Sequence, residues 1–239
     1  MNIEKIDPDA GSLQIQLQVF ADQQNVTRSS DGTWQALRAT RDGAPIVLPW
    51  KMSLVLEGLA FHITVGDFST PVAGGGATAV ISLVRPRFTV AIPTGQVLLP
   101  LRVSAQAQLP LLATDQDESE ILIAADRTQA ITDGSATLET VFNMRTDSPR
   151  TSGTTARSLY TGDATSAVLG LELARAISVG DVQGVPANAM WNMLDLVYEP
   201  AEPPFIVGPA TLCGFWGGTV ATTGFAQAVW AELPFSAIS

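Results

Sequence analysis

The chain has 239 residues, of which 46% are hydrophobic and only 15% are charged, against about 25% charged residues in an average globular domain. This composition excludes an intrinsically disordered protein, because enough apolar side chains are present to build a core. The 23 acidic and 13 basic residues give a net charge of −10 at pH 7, which argues against binding to nucleic-acid phosphates and to anionic membranes. We therefore expect neither nucleic acid nor a membrane among the partners.

The chain is predicted to begin with an extended N-terminal arm over residues 1–12 and to continue as a single domain over residues 13–239. A single β domain of this length is common. The start of the chain has no basic region followed by an apolar run, and no window reaches 18 uninterrupted apolar residues. We therefore expect neither a signal peptide nor a membrane span.

Much of the chain alternates polar and apolar residues with a period of two, which places successive side chains on opposite faces of a strand. The clearest case is 13–19, where Leu13, Ile15, Leu17 and Val19 alternate with glutamines. The same pattern predicts strands over 53–59, 61–65, 79–84, 87–92, 97–107, 120–124, 137–144, 167–176, 190–198, 211–216 and 225–233.

The segment 167–177 could be helical by composition, but the alternation of Leu169, Leu171 and Leu173 with small or polar residues favours a strand. Residues 145–165 are rich in Ser, Thr, Gly and Arg and are predicted to form a long polar loop, of the kind that often makes functional contacts. Short strands separated by glycine- and proline-containing turns indicate an all-β protein, either a sandwich or a barrel.

Few residues could carry chemistry. His62 is the one histidine; it is predicted to be half-exposed on a strand, facing opposite to Phe61 and Ile63. Cys213 is the one cysteine, and its apolar surroundings predict a small buried residue. The sequence has no phosphate-binding glycine motif and no nucleophile elbow. We therefore predict a protein that is not an enzyme, with no cofactor and no catalytic, cofactor-binding or metal-binding residues.

The acidic run over 115–120 is the densest group of charges in the chain, and we predict a solvated loop there. Asp115 and Asp117 would give two oxygen ligands to a calcium ion, but the glycine and the distal glutamate of a helical calcium loop are absent. A β-fold hydrolase that uses carboxylates distant in sequence is a further, less favoured hypothesis.

The tryptophans raise an alternative function, which is carbohydrate binding for host attachment. Rings that bind a glycan must be exposed on one face, whereas burial in a core or an interface is the commoner use of tryptophan. The five tryptophans are Trp34, Trp50, Trp191, Trp216 and Trp230.

Several segments together resemble uncharacterised virion-associated proteins of tailed bacteriophages. They are 42–45, 49–51, 56–58, 87–100 (RFTVAIPTGQVLLP), 121–127 (ILIAADR), 143–147 and 225–234 (FAQAVWAELP). The resemblance is one of pattern, extends from about residue 40 to the end and includes no catalytic motif. It implies a virion structural role, with a jelly roll or a trimeric tumour-necrosis-factor-like sandwich as the architecture.

We therefore expect an all-β fold, an antiparallel β-sandwich of jelly-roll type, in a virion structural protein that is a capsid, decoration or minor capsid component. Such a protein would bind copies of itself, as a trimer or larger, and other virion proteins, and would be assembled in the host cytoplasm. Trp216, Phe225 and Trp230 are predicted to be core or inter-subunit contacts.

Overall fold

The computed structural model describes residues 49–74, 81–110, 116–128, 131, 135–160, 169–181, 191–218 and 222–237. The chain divides into two units, Met1–Met52 and Ser53–Ser239, and the sheets described below belong to the second unit. The predicted arm over 1–12 and the predicted strand over 13–19 lie outside the described residues. The extent of the predicted single domain stays a prediction.

The described residues contain one α-helix, α1 (Trp50–Leu56), and one 3-10 turn (Phe235–Ala237); the other elements are strands. The strands are β1 (Ala60–Val65), β2 (Val72–Ala73), β3 (Phe88–Ile92), β4 (Gln96–Pro110), β5 (Gln116–Asp126), β6 (Thr137–Leu138), β7 (Phe142–Asn143), β8 (Thr155–Ser158), β9 (Leu169–Asp181), β10 (Trp191–Tyr198), β11 (Ile206–Val207), β12 (Ala210–Gly218) and β13 (Thr223–Pro234).

Two antiparallel sheets pack face to face. The first sheet has the order β10-β4-β13-β1-β7, with β11 added beside β4 and β2 beside β13, and the second has the order β6-β8-β3-β12-β5-β9. This arrangement confirms the predicted all-β antiparallel sandwich, whereas the jelly-roll type of connection stays a prediction. Two connections cross from the second sheet to the first at the edges of the sandwich. One leads from β6 to β7 at one edge, and the other leads from β9 to β10 at the opposite edge.

The main core lies between the sheets and is formed by the inward-facing residues of the alternating strands. Phe61, Phe88, Trp216 and Trp230 are its largest side chains, and each is at most 1% exposed. A second apolar cluster covers the outer face of the second sheet, where Leu122 and other residues pack. The centre of the second sheet is therefore buried on both faces, which explains why β12 is buried at every position.

A β-bulge in β4 divides the outer face of the first sheet into two parts. The register with β13 shifts between Val229, which faces Arg102, and Trp230, which faces Pro100, so that Leu101 is the extra residue. Before the bulge, β4 presents apolar residues outward, and Leu54 and Val55 of α1 pack among them. Beyond the bulge, the same face is polar and open.

The prediction of a strand over 53–59 is wrong, because this segment continues α1 to Leu56. Gly58 ends the helix in the left-handed region with a φ of 66°. Its N–H donates to the Val55 carbonyl, and the N–H of Leu59 donates to the Leu54 carbonyl, both at 2.9 Å. This pair of hydrogen bonds is a Schellman motif, in which glycine avoids the Cβ clash of the left-handed region.

Four further predictions need correction. Residues 81–84 form a turn rather than a strand, and Ile81 packs on the second apolar cluster without joining a ladder. The predicted strand over 137–144 is interrupted, because β6 and β7 belong to different sheets. The predicted loop over 145–165 contains β8, which pairs with β3. The acidic run is no loop from residue 116 onward, because it forms the start of β5 and pairs with β9.

Candidate functional site

One lateral edge of the sandwich, the β9–β10 edge, exposes aliphatic side chains. Ile177 and Val179 on β9 are each 60% exposed, and Met193 and Val197 on β10 are 49% and 57% exposed. On β10, Met193 and Val197 point outward because Leu194 and Leu196 take the inward positions. On β9, Leu171 and Leu173 pack against the core, and a register shift opposite Ile123 and Ala124 then turns Ile177 and Val179 outward. Strands β9 and β10 lie side by side, although no ladder joins them.

The β9–β10 edge is acidic. Glu118 and Glu120 lie beside the aliphatic pair, because the register places them opposite Val179 and Ile177. Arg175 forms an ion pair with Glu172 at 2.8 Å and another with Glu120. The hydrogen bond from Arg175 lowers the pKa of Glu172 below its usual value and raises that of the guanidinium. Near Ile177 and Val179 these groups amount to three carboxylates and one arginine, whereas Asp195 on β10 lies on the outer face of the first sheet.

The opposite lateral edge, the β6–β7 edge, is also apolar. Leu138 on β6 is 65% exposed and Phe142 on β7 is 55% exposed, while Met144 and Leu159 beside them are also exposed. Leu159 adopts a φ of 52°, a left-handed conformation that is uncommon for an aliphatic residue. The Phe142 ring stacks on His62 with 5.6 Å between ring centroids. This edge therefore offers a second set of uncovered apolar side chains.

The β6–β7 edge is close to neutral, in contrast to the chain as a whole. The described side chains of β6, β7, β8 and segments 139–141 and 144–154 comprise three arginines and two carboxylates, a net charge of +1. Arg145 binds both carboxylate oxygens of Asp147, at 2.8 and 3.1 Å, and donates to the Leu56 carbonyl at 2.8 Å. An open cavity of about 560 Å³ lies here, lined by Arg145, Arg150, His62 and Phe142 among others.

The polar part of the first sheet's outer face forms a third surface. The ladders align Asp195, Gln106 and Phe225 in one row and Val197, Ser104, Gln227 and Thr64 in the next. A shallow cavity of about 530 Å³ opens above these rows and is also lined by Arg102. The surface thus presents hydrogen-bond donors and acceptors around one half-buried aromatic ring.

A buried carboxylate fixes the loop beside the β6–β7 edge to β13. Glu232 is 4% exposed and accepts hydrogen bonds from the Gly153 N–H at 2.8 Å, the Thr154 hydroxyl at 2.9 Å, the Trp230 indole at 3.0 Å and the Ser152 hydroxyl. A buried charge is stable only when it is fully hydrogen-bonded. Glu232 therefore acts as a structural clamp for the loop.

The residues that the sequence singled out occupy separate places. His62 is half-buried and faces opposite to the buried Phe61 and Ile63, as predicted. Its Nδ1 atom is buried without a hydrogen-bond partner. Cys213 is fully buried, as predicted, and burial raises the pKa of its thiol. His62 lies on β1 of the first sheet, whereas Cys213 lies on β12 of the second.

The tryptophans of the described region do not form a sugar-binding face. Trp216 and Trp230 are core residues, and their indole N–H groups donate to the Val72 carbonyl and to Glu232. Trp50 is exposed on α1, whereas Trp34 and the side chain of Trp191 lie outside the part of the chain that the structure describes. Phe225, the third residue expected in a core or contact, is half-buried on the open polar face.

The exposed aliphatic residues of the edges were not recognised from the sequence. Alternation counted along β9 places Leu171, Leu173, Ile177 and Val179 on one inward face, whereas the register shift opposite Ile123 and Ala124 turns Ile177 and Val179 outward. Alternation alone assigns such a strand to a buried sheet rather than to an exposed edge.

Within the part of the chain that the structure describes, no three His, Cys, Asp or Glu side chains are grouped so that they could hold a metal ion. The calcium hypothesis rests on Asp115 and on the side chain of Asp117, which lie outside that part. No described helix is long and apolar enough to cross a membrane.

Comparison of the chain with known protein families, with curated proteins and with solved structures finds no match.

Proposed function

We propose that this protein is a virion structural component that works through protein–protein contacts, binding copies of itself and other virion proteins. The observation that supports this proposal best is the uncovered aliphatic side chains at the β9–β10 edge. Edge strands of monomeric proteins usually carry lysines, prolines or bulges that prevent pairing with another chain. On β9 such features, two register irregularities and the Glu172–Arg175 ion pair, are confined to its first half, whereas Ile177 and Val179 in its second half are exposed aliphatic residues.

The energetic argument is that covering these residues would stabilise an assembly. Complete burial of an aliphatic side chain contributes about 1.5–3 kcal/mol, so Ile177 and Val179, which share the outer face of the second sheet, could supply the apolar centre of an interface. Interfaces of this kind combine an apolar centre with a polar rim, and the carboxylates beside Ile177 would form that rim. The resemblance of several segments to virion-associated proteins supports the same function.

The first test is the oligomeric state of the full-length protein, measured by light scattering over a range of concentrations. We expect a trimer or a larger species, which the double variant Ile177→Asp/Val179→Asp should convert to smaller species. Phe68→Asp is the matched control, because Phe68 is 74% exposed in the loop between β1 and β2, away from this edge. A wild-type protein that stays monomeric at all concentrations would contradict self-association.

The virion part of the proposal needs its own test. Mass spectrometry of purified particles should detect the chain at a fixed ratio to other structural proteins, and cross-linking should join it to those proteins. Absence of the chain from purified particles would refute a virion role, whatever its oligomeric state in solution.

A second candidate function is carbohydrate binding at the open polar face of the first sheet. The rows of amide, hydroxyl and charged groups around Phe225 are of the kind that binds sugars, because an aromatic ring can stack on the apolar face of a sugar while polar groups bind its hydroxyls. A glycan array should then give hits that Phe225→Ala weakens, with Phe68→Ala as the control. An array without hits would remove this candidate.

A further inference from the structure

The outer face of the first sheet continues from the polar surface around Phe225 as far as β7. The ladders add a third row to the two rows of that surface, and its members are Arg102, Val229, His62 and Phe142. His62 faces outward because Phe61 and Ile63 take the inward positions of β1. The ring of Phe142 stacks on His62 and is 55% exposed. Two aromatic rings, Phe225 in the first row and Phe142 in the third, therefore belong to one face.

The two rings are too far apart to contact the same sugar ring. Phe142 lies two strands away from Phe225, and its row crosses β13 at Val229, four residues beyond Phe225. At about 4.8 Å per strand and about 3.3 Å per residue, the two positions are roughly 16 Å apart. A carbohydrate that stacks on both rings must therefore be an oligosaccharide that runs diagonally across the strands.

The polar side chains around the two rings are not used by the protein itself. Within the described residues, six of them make no hydrogen bond or ion pair to a side chain or to the backbone: Thr64, Arg102, Ser104, Gln106, Asp195 and Gln227. By contrast, the amide of Asn143 beside this face donates to two backbone carbonyls. Carboxylate, amide and guanidinium groups offer paired acceptors or donors, which match neighbouring hydroxyls of a sugar. The strands fix the positions of these groups and leave their hydrogen bonds to a ligand.

From the two rings and the unused polar groups we infer that this face binds an extended neutral oligosaccharide, which lies across β13, β1 and β7 from Phe225 to Phe142. The inference rests on the second candidate function, carbohydrate binding, and specifies the length and the charge of the ligand.

The charges of the face favour a neutral sugar over an acidic one. Arg102 and Asp195 are the charged side chains of its three rows and offset each other, and Glu199 follows directly after β10. The face thus has no cluster of cations to bind a carboxylated or sulfated glycan, and the net charge of −10 repels polyanions at longer range. A neutral oligosaccharide loses nothing to either effect.

The test measures how the affinity of the full-length protein depends on ligand length. The probes are a graded series of neutral oligosaccharides of glucose, galactose or mannose, from the monosaccharide upward, titrated by calorimetry. Affinity should rise with length until both rings are covered and should not change with added salt. Phe225→Ala should weaken binding of every length about tenfold, whereas Phe142→Leu should weaken only the long members by a similar factor.

Matched variants separate the loss of a ring from a disturbed fold. Phe142→Leu keeps an apolar side chain at a position that is more than half exposed, and circular dichroism with thermal melting checks that it folds. Phe142→Tyr keeps the ring and should bind like the wild type. Leu138→Ala is the control, because Leu138 is 65% exposed at the same edge but belongs to the second sheet.

The outcomes distinguish the extended site from carbohydrate binding in general. Affinity that does not depend on length, or that Phe142→Leu leaves unchanged for the long members, would overturn the extended site while binding at Phe225 stands. Binding confined to sialylated or uronic-acid glycans would overturn the neutral ligand. A glycan array without any hits, neutral or acidic, would instead refute the carbohydrate-binding function itself.

Discussion

Gly214 on β12 provides the sharpest test of the packing between the sheets. It lies opposite Phe88 in the ladder with β3, and a Cβ atom at this position would lie within 2.6 Å of three carbon atoms of the Phe88 ring. That ring is fully buried and tilted against Trp216, with 6.5 Å between the ring centroids. Gly214→Ala therefore forces a packed aromatic ring to move.

The expected cost follows from the absence of free space. Overpacking a dense core by one methyl group costs about 1–3 kcal/mol, which for a chain of this size lowers the melting temperature by roughly 2–12 °C. Phe88→Leu alone should also destabilise, because it leaves a cavity. In the double variant the smaller leucine side chain leaves room for the new methyl group, so the two effects should be less than additive by about 0.5–3 kcal/mol.

The assay is denaturant unfolding of the wild type, both single variants and the double variant. The control is Gly170→Ala on β9, where the three atoms nearest to a new Cβ belong to the Arg127 side chain, at 3.0–3.3 Å, so that a small shift of this flexible side chain makes room; its stability should stay within about 0.5 kcal/mol of the wild type. If Gly214→Ala were as stable as this control, or if the double variant were additive, the interpretation of Gly214 as space for the Phe88 ring would be wrong.

Three further predictions concern single groups. Glu232→Gln should lower the free energy of unfolding by about 1–3 kcal/mol and speed hydrogen exchange of the Gly153 amide, because an amide nitrogen cannot accept its hydrogen bond. Asp67 should titrate by NMR with a pKa of about 2, held down first by the hydroxyl of Ser69 and then by backbone N–H groups; Ser69→Ala should raise that pKa. Since the folded pKa is the lower one, its contribution to stability is present above the unfolded pKa near 4 and is lost as the pH falls towards 2. The thiol of Cys213 should stay unreactive towards a disulfide reagent until the protein unfolds, because it is buried and its pKa is raised.

The strands predicted from alternation are those with one clearly buried face or with a strong apolar run. Residues 61–65, 87–92 and 225–233 all fall within or next to observed strands, because their inward residues fill the core between the sheets. The fold class follows from such segments. The pairing of β4 with both β10 and β13 cannot be predicted from these segments, because tertiary packing over long sequence distances decides which strands pair.

The failures have local physical reasons. The segment 53–59 has the apolar content of a strand, but a helix forms because Leu54 and Val55 can pack together on the outer face of the first sheet, and Gly58 can end the helix. Gly58 was the available signal, since glycine is frequent just beyond helix ends. The short strands β2, β8 and β11 have no signal of their own, because their two to four residues depend on the strands they join.

The candidate surfaces were harder to predict than the fold, because exposure at an edge depends on which strands find no neighbour. The bulge at Leu101 shows how one extra residue in a strand decides which side chains are exposed on the surface. If β4 continued without it, the positions beyond Leu101 would exchange faces, and Arg102 and Gln106 would point into the core. The bulge instead keeps Val103 and Ala105 inward and turns the polar residues outward. Pro100, which lacks an N–H, is placed next to the bulge between the stretches of β4 that pair with β11 and with β10, a position where a missing ladder hydrogen bond is tolerated. The polar face around Phe225 therefore exists because of a register shift that alternation alone cannot reveal, and the open edges exist because no strand of the same chain covers them in the described residues.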